Sequence, residues 1–273
     1  MTDNKYEARE IDASRPSAAR MYDYYLGGNA HYAVDAAFGQ RMFEICPYLD
    51  VWAHHNREFL QRAARFMARQ GIHQFLDIGS GIPTVGNTHQ VVRELVADAR
   101  VVYVDNDLEA VNQSYELLAR ENTTGVTIVE ADLRYPESIL DHADIQRLIN
   151  FDQPLGLLTV SVWPFVADSE RPDALMAHYR DRLASGSYVG MTHVSVEEAS
   201  DEAKRQIAAV ADSYVETSDP ITMRSRQQFT AFFDGVDILE PGVGYAPDWR
   251  PDQPVDTDDP ARPCNFAAVG YKP

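Results

Sequence analysis

Four short runs of apolar and β-branched residues recur along the chain: HQFLDIG (73–79), ARVVYVDND (99–107), GVTIVEADL (125–133) and LGLLTVSVW (155–163). Each is bounded by turn residues and separated from the next by a stretch with helical periodicity, an alternation that implies βαβ crossovers and a parallel sheet. The runs are nearly continuously apolar, as strands covered on both faces require. SYVGMTHVSV (187–196), VDILEPG (236–242) and CNFAAVGYKP (264–273) extend the expected sheet to seven strands. The last two are joined by YAPDWRPDQPVDTDDPARP, where prolines and aspartates permit neither helix nor interior strand. With no helix between them, they pair antiparallel. The expectation is an α/β fold: a mostly parallel sheet with helices on both faces and one antiparallel C-terminal strand.

Ahead of the first strand, residues 1–71 read as a helical extension packed on a core of residues 72–273. PSAARMYDYYLGG starts a helix near Ser14-Arg15-Pro16 and stops at Gly27-Gly28. DVWAHHNREFLQRAARFMARQG runs from Asp50 to Gly71, with Trp52, Phe59, Leu60, Ala63, Phe66 and Met67 at helical spacing. With 273 residues and 45% hydrophobic content, the chain suffices for one large domain with trimmings. Lys and Arg total 24 against 42 Asp and Glu, a net charge of −18 that repels a phosphate backbone and disfavours nucleic-acid partners. The N-terminus has no apolar signal region and no run of eighteen apolar residues occurs, so a cytoplasmic protein without a membrane span is expected. Cys46 and Cys264 form neither a CxxC nor a metal spacing, so neither a disulfide framework nor a metal site is indicated.

The loop after the first strand, FLDIGSGIPTVGNTH (75–89), fits three ligand motifs imperfectly. As a phosphate loop it has Asn87 where the lysine belongs, so the phosphates lose their main counterion. As a dinucleotide fingerprint it has Thr84 in place of the third glycine, which weakens the case for an NAD(P)-dependent oxidoreductase. As an S-adenosylmethionine loop it supplies an acidic residue followed by x-G-x-G: Asp77, Gly79 and Gly81. A carboxylate suits a ligand carrying an ammonium and a sulfonium, and glycines let the backbone approach it closely. The second strand then ends in Asp105 and Asn106, placing a carboxylate that accepts both hydroxyls of a ribose diol. The third ends in Asp132 and Leu133, an acid for an adenine amino group and an apolar neighbour for its ring. Asp105 could instead begin the next helix, and Asp132 could be a turn residue before Pro136. Joint placement at the carboxyl edge of successive strands favours a ligand site. Pro83 fits the first turn of the following helix.

An antiparallel last strand is unusual for dinucleotide-binding domains and usual for class I methyltransferases. The chain resembles the S-adenosyl methyltransferase family abundant in actinobacteria and long catalogued as a domain of unknown function. The resemblance runs from about Arg15 to GYKP. RMYDYYLGG (20–28), FLDIGSGIPTVGNTH, VVYVDND (101–107), ADLRYP (131–136), RSR (224–226), FFDG (232–235) and EPGVGYAPDWRP (240–251) carry it. Membership implies the class I, Rossmann-like fold with S-adenosylmethionine as cofactor. It leaves the methyl acceptor open; a small molecule is expected.

The resemblance also suggests a lid built from RMYDYYLGG. Arg20 or Asp23 would lie near the methionine end and a tyrosine such as Tyr22 near the sulfonium; an ordinary docking helix with exposed tyrosine tips is the alternative. Asn87 and His89 begin the first crossover helix, whose N-terminus favours the ligand carboxylate; His89 could equally be a packing residue. Ser161, at the end of the fourth strand, completes the cofactor-facing set. Where many relatives carry a histidine at that strand end, this chain reads Ser161-Val162-Trp163-Pro164-Phe165, so no base is carried over and His193 is a weak substitute. No Asn/Asp-Pro-Pro-Tyr/Phe signature is present, which argues against methylation of a base or amide nitrogen. Transfer from a sulfonium needs mainly alignment and desolvation. A non-catalytic S-adenosylmethionine-binding protein is the rival expectation.

Overall fold

The computed structural model describes residues 11–83 and 86–273. Thr84 and the first ten residues of the expected extension lie outside them.

Eight strands form one sheet: β1 (Gln74–Ile78), β2 (Arg100–Asp105), β3 (Val126–Glu130), β4 (Gly156–Val160), β5 (Tyr188–Val194), β6 (Asp237–Ile238), β7 (Gly244–Tyr245) and β8 (Asn265–Tyr271). Their order is β3-β2-β1-β4-β5-β8-β6, with β7 also on β8. β1 to β5 pair parallel and β8 runs antiparallel to β5. The expected seven strands become eight because the run 236–242 does not continue. Gly242 N–H turns back to Leu239 O at 2.8 Å, and Pro241 has no N–H for a ladder. The chain rejoins β8 through Gly244–Tyr245, inside what reads in sequence as loop.

Both faces of the sheet are covered, which is why its strands are apolar throughout. Leu76, Val102, Leu157 and Met191 face one core. Phe75, Val101 and Leu158 face another, built against helix α3 (Leu49–Arg69), whose Phe59, Ala63 and Met67 are fully buried. At β4, a Cβ on Gly156 would stand 2.9 Å from Met67 Sδ, so α3 lies directly on the sheet there.

Two further helices precede α3: α1 (Ala18–Tyr25) and α2 (Ala33–Ile45). α1 starts later than the sequence suggests, because Ser17 and not Ser14 caps it, accepting Arg20 N–H at 3.3 Å. α3 begins at Leu49, with Asp50 in its first turn and not at the cap. Met21 and Tyr25 of α1 join Phe38 and Met42 of α2 in a third core, against Ile207, Val210 and Tyr214 from α9 (Asp201–Ser213) and the turn after it. The remaining helices are α4 (Thr88–Arg93), α5 (Leu108–Arg120), α6 (Pro136–Leu140), α7 (Ala143–Leu148), α8 (Pro172–Arg182) and α10 (Arg226–Ala231). α4 begins five residues after Pro83, so that proline stiffens the loop and not the helix. Among the described residues no helix is long and apolar enough to cross a membrane.

Candidate active site

The chain moves outward from β1 to β2 and β3, then returns to place β4 on the other side of β1. Ligands of open α/β sheets bind at that reversal, outside the carboxyl ends of the strands. A cavity of about 460 Å³ opens there, within the range of roughly 300–1,000 Å³ usual for ligand pockets. Asp77, Gly79, Gly81, Asp105, Asn106, Asp132, Leu133 and Ser161 all line it, as does Tyr22.

At the β1 exit, Asp77 is buried and its Oδ2 accepts the Thr88 hydroxyl at 2.6 Å. Burial pushes its carboxyl up to about 6, with the Thr88 bond and the Arg57 charge opposing. The following loop turns through Gly79 and Gly81 at φ of +72° and +66°. Asp105 Oδ2 accepts Gly81 N–H at 2.7 Å and Oδ1 accepts Asp107 N–H at 2.9 Å. Burial pushes Asp105 up to about 7. Asp107, not Asp105, caps α5, accepting Glu109 N–H at 2.8 Å, so Asp105 is not needed to start that helix. At the β3 exit, burial pushes Asp132 up, but hydrogen bonds from Arg134 Nε at 2.9 Å to both oxygens outweigh it and hold the carboxyl low.

Four expected residues do not line this cavity. Arg20 is buried with its Nε on Asp35 Oδ2 at 2.8 Å. Asp23 accepts Ala30 N–H at 2.9 Å and faces His31 Nδ1 at 3.3 Å. Both are spent tying α1 to the segment that follows, since a buried charge must be paired. Asn87 caps α4, and His89 is sealed between the Tyr103 hydroxyl at 2.7 Å and Glu121 Oε2 at 2.9 Å. Asn87 and His89 border a narrow cleft beside the cavity that also touches Asp77, Ser80 and Gly81. His193, the substitute base, is fully buried; Nδ1 bonds Val194 O at 2.8 Å and Nε2 meets Arg224 Nη1 at 2.9 Å. Burial pushes its imidazole down to about 3, so it accepts no proton near neutral pH.

Two cavity residues carry no sequence signal. Arg57, from α3, stands 5.7 Å from the Tyr22 ring centroid and borders both the cavity and the cleft. Its Nε and the Ser80 hydroxyl are buried without hydrogen-bond partners among the described residues, as groups reserved for a ligand would be. Asp219 lines the far end, where Oδ2 accepts Ala18 N–H at 3.1 Å at the start of α1. Arg224 of the RSR motif acts from behind: it donates to Trp163 O at 2.9 Å and Val166 O at 2.7 Å, fixing the β4 exit that forms one wall.

A sequence model of the S-adenosyl methyltransferase family matches residues 4–273. A candidate methyltransferase from Thermobifida fusca is 36% identical over 96% of each chain, with a TM-score of 0.88. A DUF574 family protein from Streptomyces avermitilis is 33% identical over 97% of this chain and 100% of that one, with a TM-score of 0.90. Magnesium protoporphyrin IX methyltransferase from Synechocystis, with bound S-adenosylhomocysteine, shares the fold at 11% identity, covering 93% of each chain with a TM-score of 0.54. Comparison with curated proteins returns no match. The convergence of acidic strand ends and a glycine loop on one cavity agrees with the first of these matches, and the chain belongs to the S-adenosyl methyltransferase family, as a methyltransferase whose cofactor is S-adenosylmethionine.

Proposed function

We propose that the protein methylates a small molecule held in the same cavity as its cofactor. What carries this reading is the length of the cavity: it continues from the acidic strand ends, past β4, to a chamber walled by α1 and α9. A cofactor-binding protein with no acceptor needs no such chamber, so the catalytic reading is favoured over the non-catalytic one.

Asp105 takes the ribose hydroxyls, and Asp132 with Leu133 takes the adenine. Asp77 faces the methionine ammonium across the backbone of Gly79 and Gly81. Arg57 takes the methionine carboxylate, at the end of the cofactor where the sequence suggests Arg20 or Asp23. Ser80 and Asn106 offer hydrogen bonds alongside, Ser161 and Tyr22 border the methyl-bearing side, and Asn87 and His89 support the loop from behind. The cofactor supplies a methyl group on a positively charged sulfur. The protein aligns an acceptor with it and excludes water. Calorimetry with S-adenosylmethionine and S-adenosylhomocysteine, followed by transfer assays on small-molecule pools, tests the proposal; binding without transfer to any pool counts against it.

Arg57→Ala is expected to weaken S-adenosylhomocysteine roughly 10- to 150-fold, because one charge-assisted hydrogen bond is worth about 1.5–3 kcal/mol. Unchanged affinity by calorimetry returns the carboxylate to another residue.

A pH dependence follows from Asp77 near 6 and Asp105 near 7. Both carboxyls lie above their unfolded value of 3.8, so the ligand-free fold binds more protons than the unfolded chain. Its stability falls as pH rises from about 4 to about 7. The ligand's ammonium beside Asp77 and its ribose hydroxyls at Asp105 have the opposite preference and favour the ionised groups. Affinity for S-adenosylhomocysteine should rise from pH 5.5 to 8, by up to about tenfold per unit for each proton released. A flat profile, with no proton release in buffers of differing ionisation enthalpy, contradicts this.

A further inference from the structure

The chamber at the far end of the cavity restricts the acceptor by both shape and charge. Its walls are apolar and aromatic: Tyr25, Trp52, Phe165, Ile207, Val210 and Tyr214. The polar atoms among them are largely spent. The Tyr25 and Tyr214 hydroxyls face each other at 3.4 Å, and the Trp52 indole donates to Cys264 O at 3.2 Å. Asn56 gives its amide to Tyr22 and takes protons from Thr192 and Asn265. No histidine, lysine, cysteine or glutamate lines the cavity among the described residues. Asp219 is the ionisable acid at this end, one oxygen serving Ala18 N–H.

The cavity as a whole is acidic. Asp77, Asp105, Asp107, Asp132 and Asp219 line it, while its arginines are Arg57 and Arg134, the latter bound to Asp132. Asp219 lines the same cavity as Asp105, and its charge adds to the burial, the larger cause, that pushes Asp105 up. An acceptor arriving as a carboxylate, phenolate or thiolate meets like charge here. A neutral alcohol escapes repulsion, but its hydroxyl is far less acidic than an ammonium, so a carboxylate that can relay an ammonium proton is too weak a base to take the alcohol's.

We propose that the methyl acceptor is a small, mainly apolar amine, its body among the aromatic walls and its nitrogen beside Asp219. This rests on the cofactor site proposed above. The ammonium docks against the carboxylate and loses one proton, by way of Asp219, to bulk water. The free nitrogen lone pair then forms the bond to the methyl carbon, and the carbon–sulfur bonding pair stays on sulfur. Positive charge thus passes from sulfur to nitrogen inside a cavity lined by more carboxyl groups than guanidinium groups, so the step creates no net charge.

The test is calorimetry on the full chain saturated with S-adenosylhomocysteine, titrated at pH 8 with 2-phenylethylamine and 2-(1-naphthyl)ethylamine and with the similarly sized 3-phenylpropionate and 2-phenylethanol. The amines should bind at least roughly tenfold tighter than the acid or the alcohol. In Asp219→Asn, that preference should shrink toward the alcohol's affinity. Equal or tighter binding of the acid or alcohol overturns the proposal, as does failure of both amines to saturate. An amine preference that survives Asp219→Asn overturns the role of that residue. Failure of S-adenosylhomocysteine itself to bind removes the cofactor site and is read separately, in the first titration.

Discussion

Asp105→Ala should weaken S-adenosylhomocysteine binding by roughly a hundredfold or more. Two charge-assisted hydrogen bonds to a ribose diol, each worth about 1.5–3 kcal/mol before desolvation, leave a net loss of about 3 kcal/mol, or two powers of ten. The same carboxylate accepts Gly81 N–H at 2.7 Å, so its removal also frees the glycine loop. Asp105→Asn separates the two roles. Its amide oxygen can still accept Gly81 N–H, but the site loses its charge and one acceptor, so a loss of roughly 10- to 30-fold is expected. Because burial opposes ionisation of Asp105, the neutral asparagine relieves that cost while losing the Asp107 N–H bond that Oδ1 accepts, so the ligand-free protein should melt within a few degrees of wild type above pH 7. Binding that falls while the melting temperature holds marks a residue retained for its ligand at some cost to the fold. Calorimetry and thermal melts at pH 7.5 read both quantities. Wild-type affinity in Asp105→Ala refutes the ribose assignment.

The residues that announced themselves in sequence did so because their environment is simple. β1, β2 and β4 lie inside a sheet covered on both faces, with β3 at its edge, and that burial leaves continuous apolar runs that need no knowledge of partners. Asp77, Asp105 and Asp132 stand where those runs stop, so reading the strands also located the acids. The readings that failed depend on side-chain pairings that no local pattern announces. Arg20 pairs with Asp35 and Asp23 with Ala30 and His31, so their charges are consumed before any ligand arrives. Arg57 sits on an amphipathic helix, where one arginine among four reads as part of the solvent face until the helix is laid across the sheet. Asp219 follows α9 in an irregular segment and reaches the cavity only because α1 packs against that helix. The β6–β7 break is a local matter that could have been anticipated, since Pro241 interrupts any ladder it enters.

Gly79 and Gly81 belong to the same short motif, yet alanine should affect them differently. Both have positive φ, where a Cβ costs about 1–2 kcal/mol. At Gly79 the new Cβ would stand 2.4 Å from Val162 Cγ2 and 2.6 Å from Val162 Cβ, so the β1 and β4 exits must separate. Overpacking of that kind adds about 1–3 kcal/mol. Gly79→Ala should therefore lower the melting temperature by roughly 5–10 °C. Val162→Ala should restore only part of that, because Val162 Cβ itself lies within the clash. At Gly81 nothing among the described residues lies within 4 Å of the added Cβ, and the residue borders the cavity. Gly81→Ala should melt within a few degrees of wild type but lose roughly tenfold or more in S-adenosylhomocysteine affinity, since the methyl group takes space that a closely approaching ligand needs. Similar melting of the two variants would place the constraint in backbone conformation alone. Full affinity in Gly81→Ala would show that the ligand does not approach the loop at that residue. The two glycines then divide the motif physically: Gly79 lets β1 and β4 come together at the crevice, and Gly81 leaves the crevice open for the cofactor.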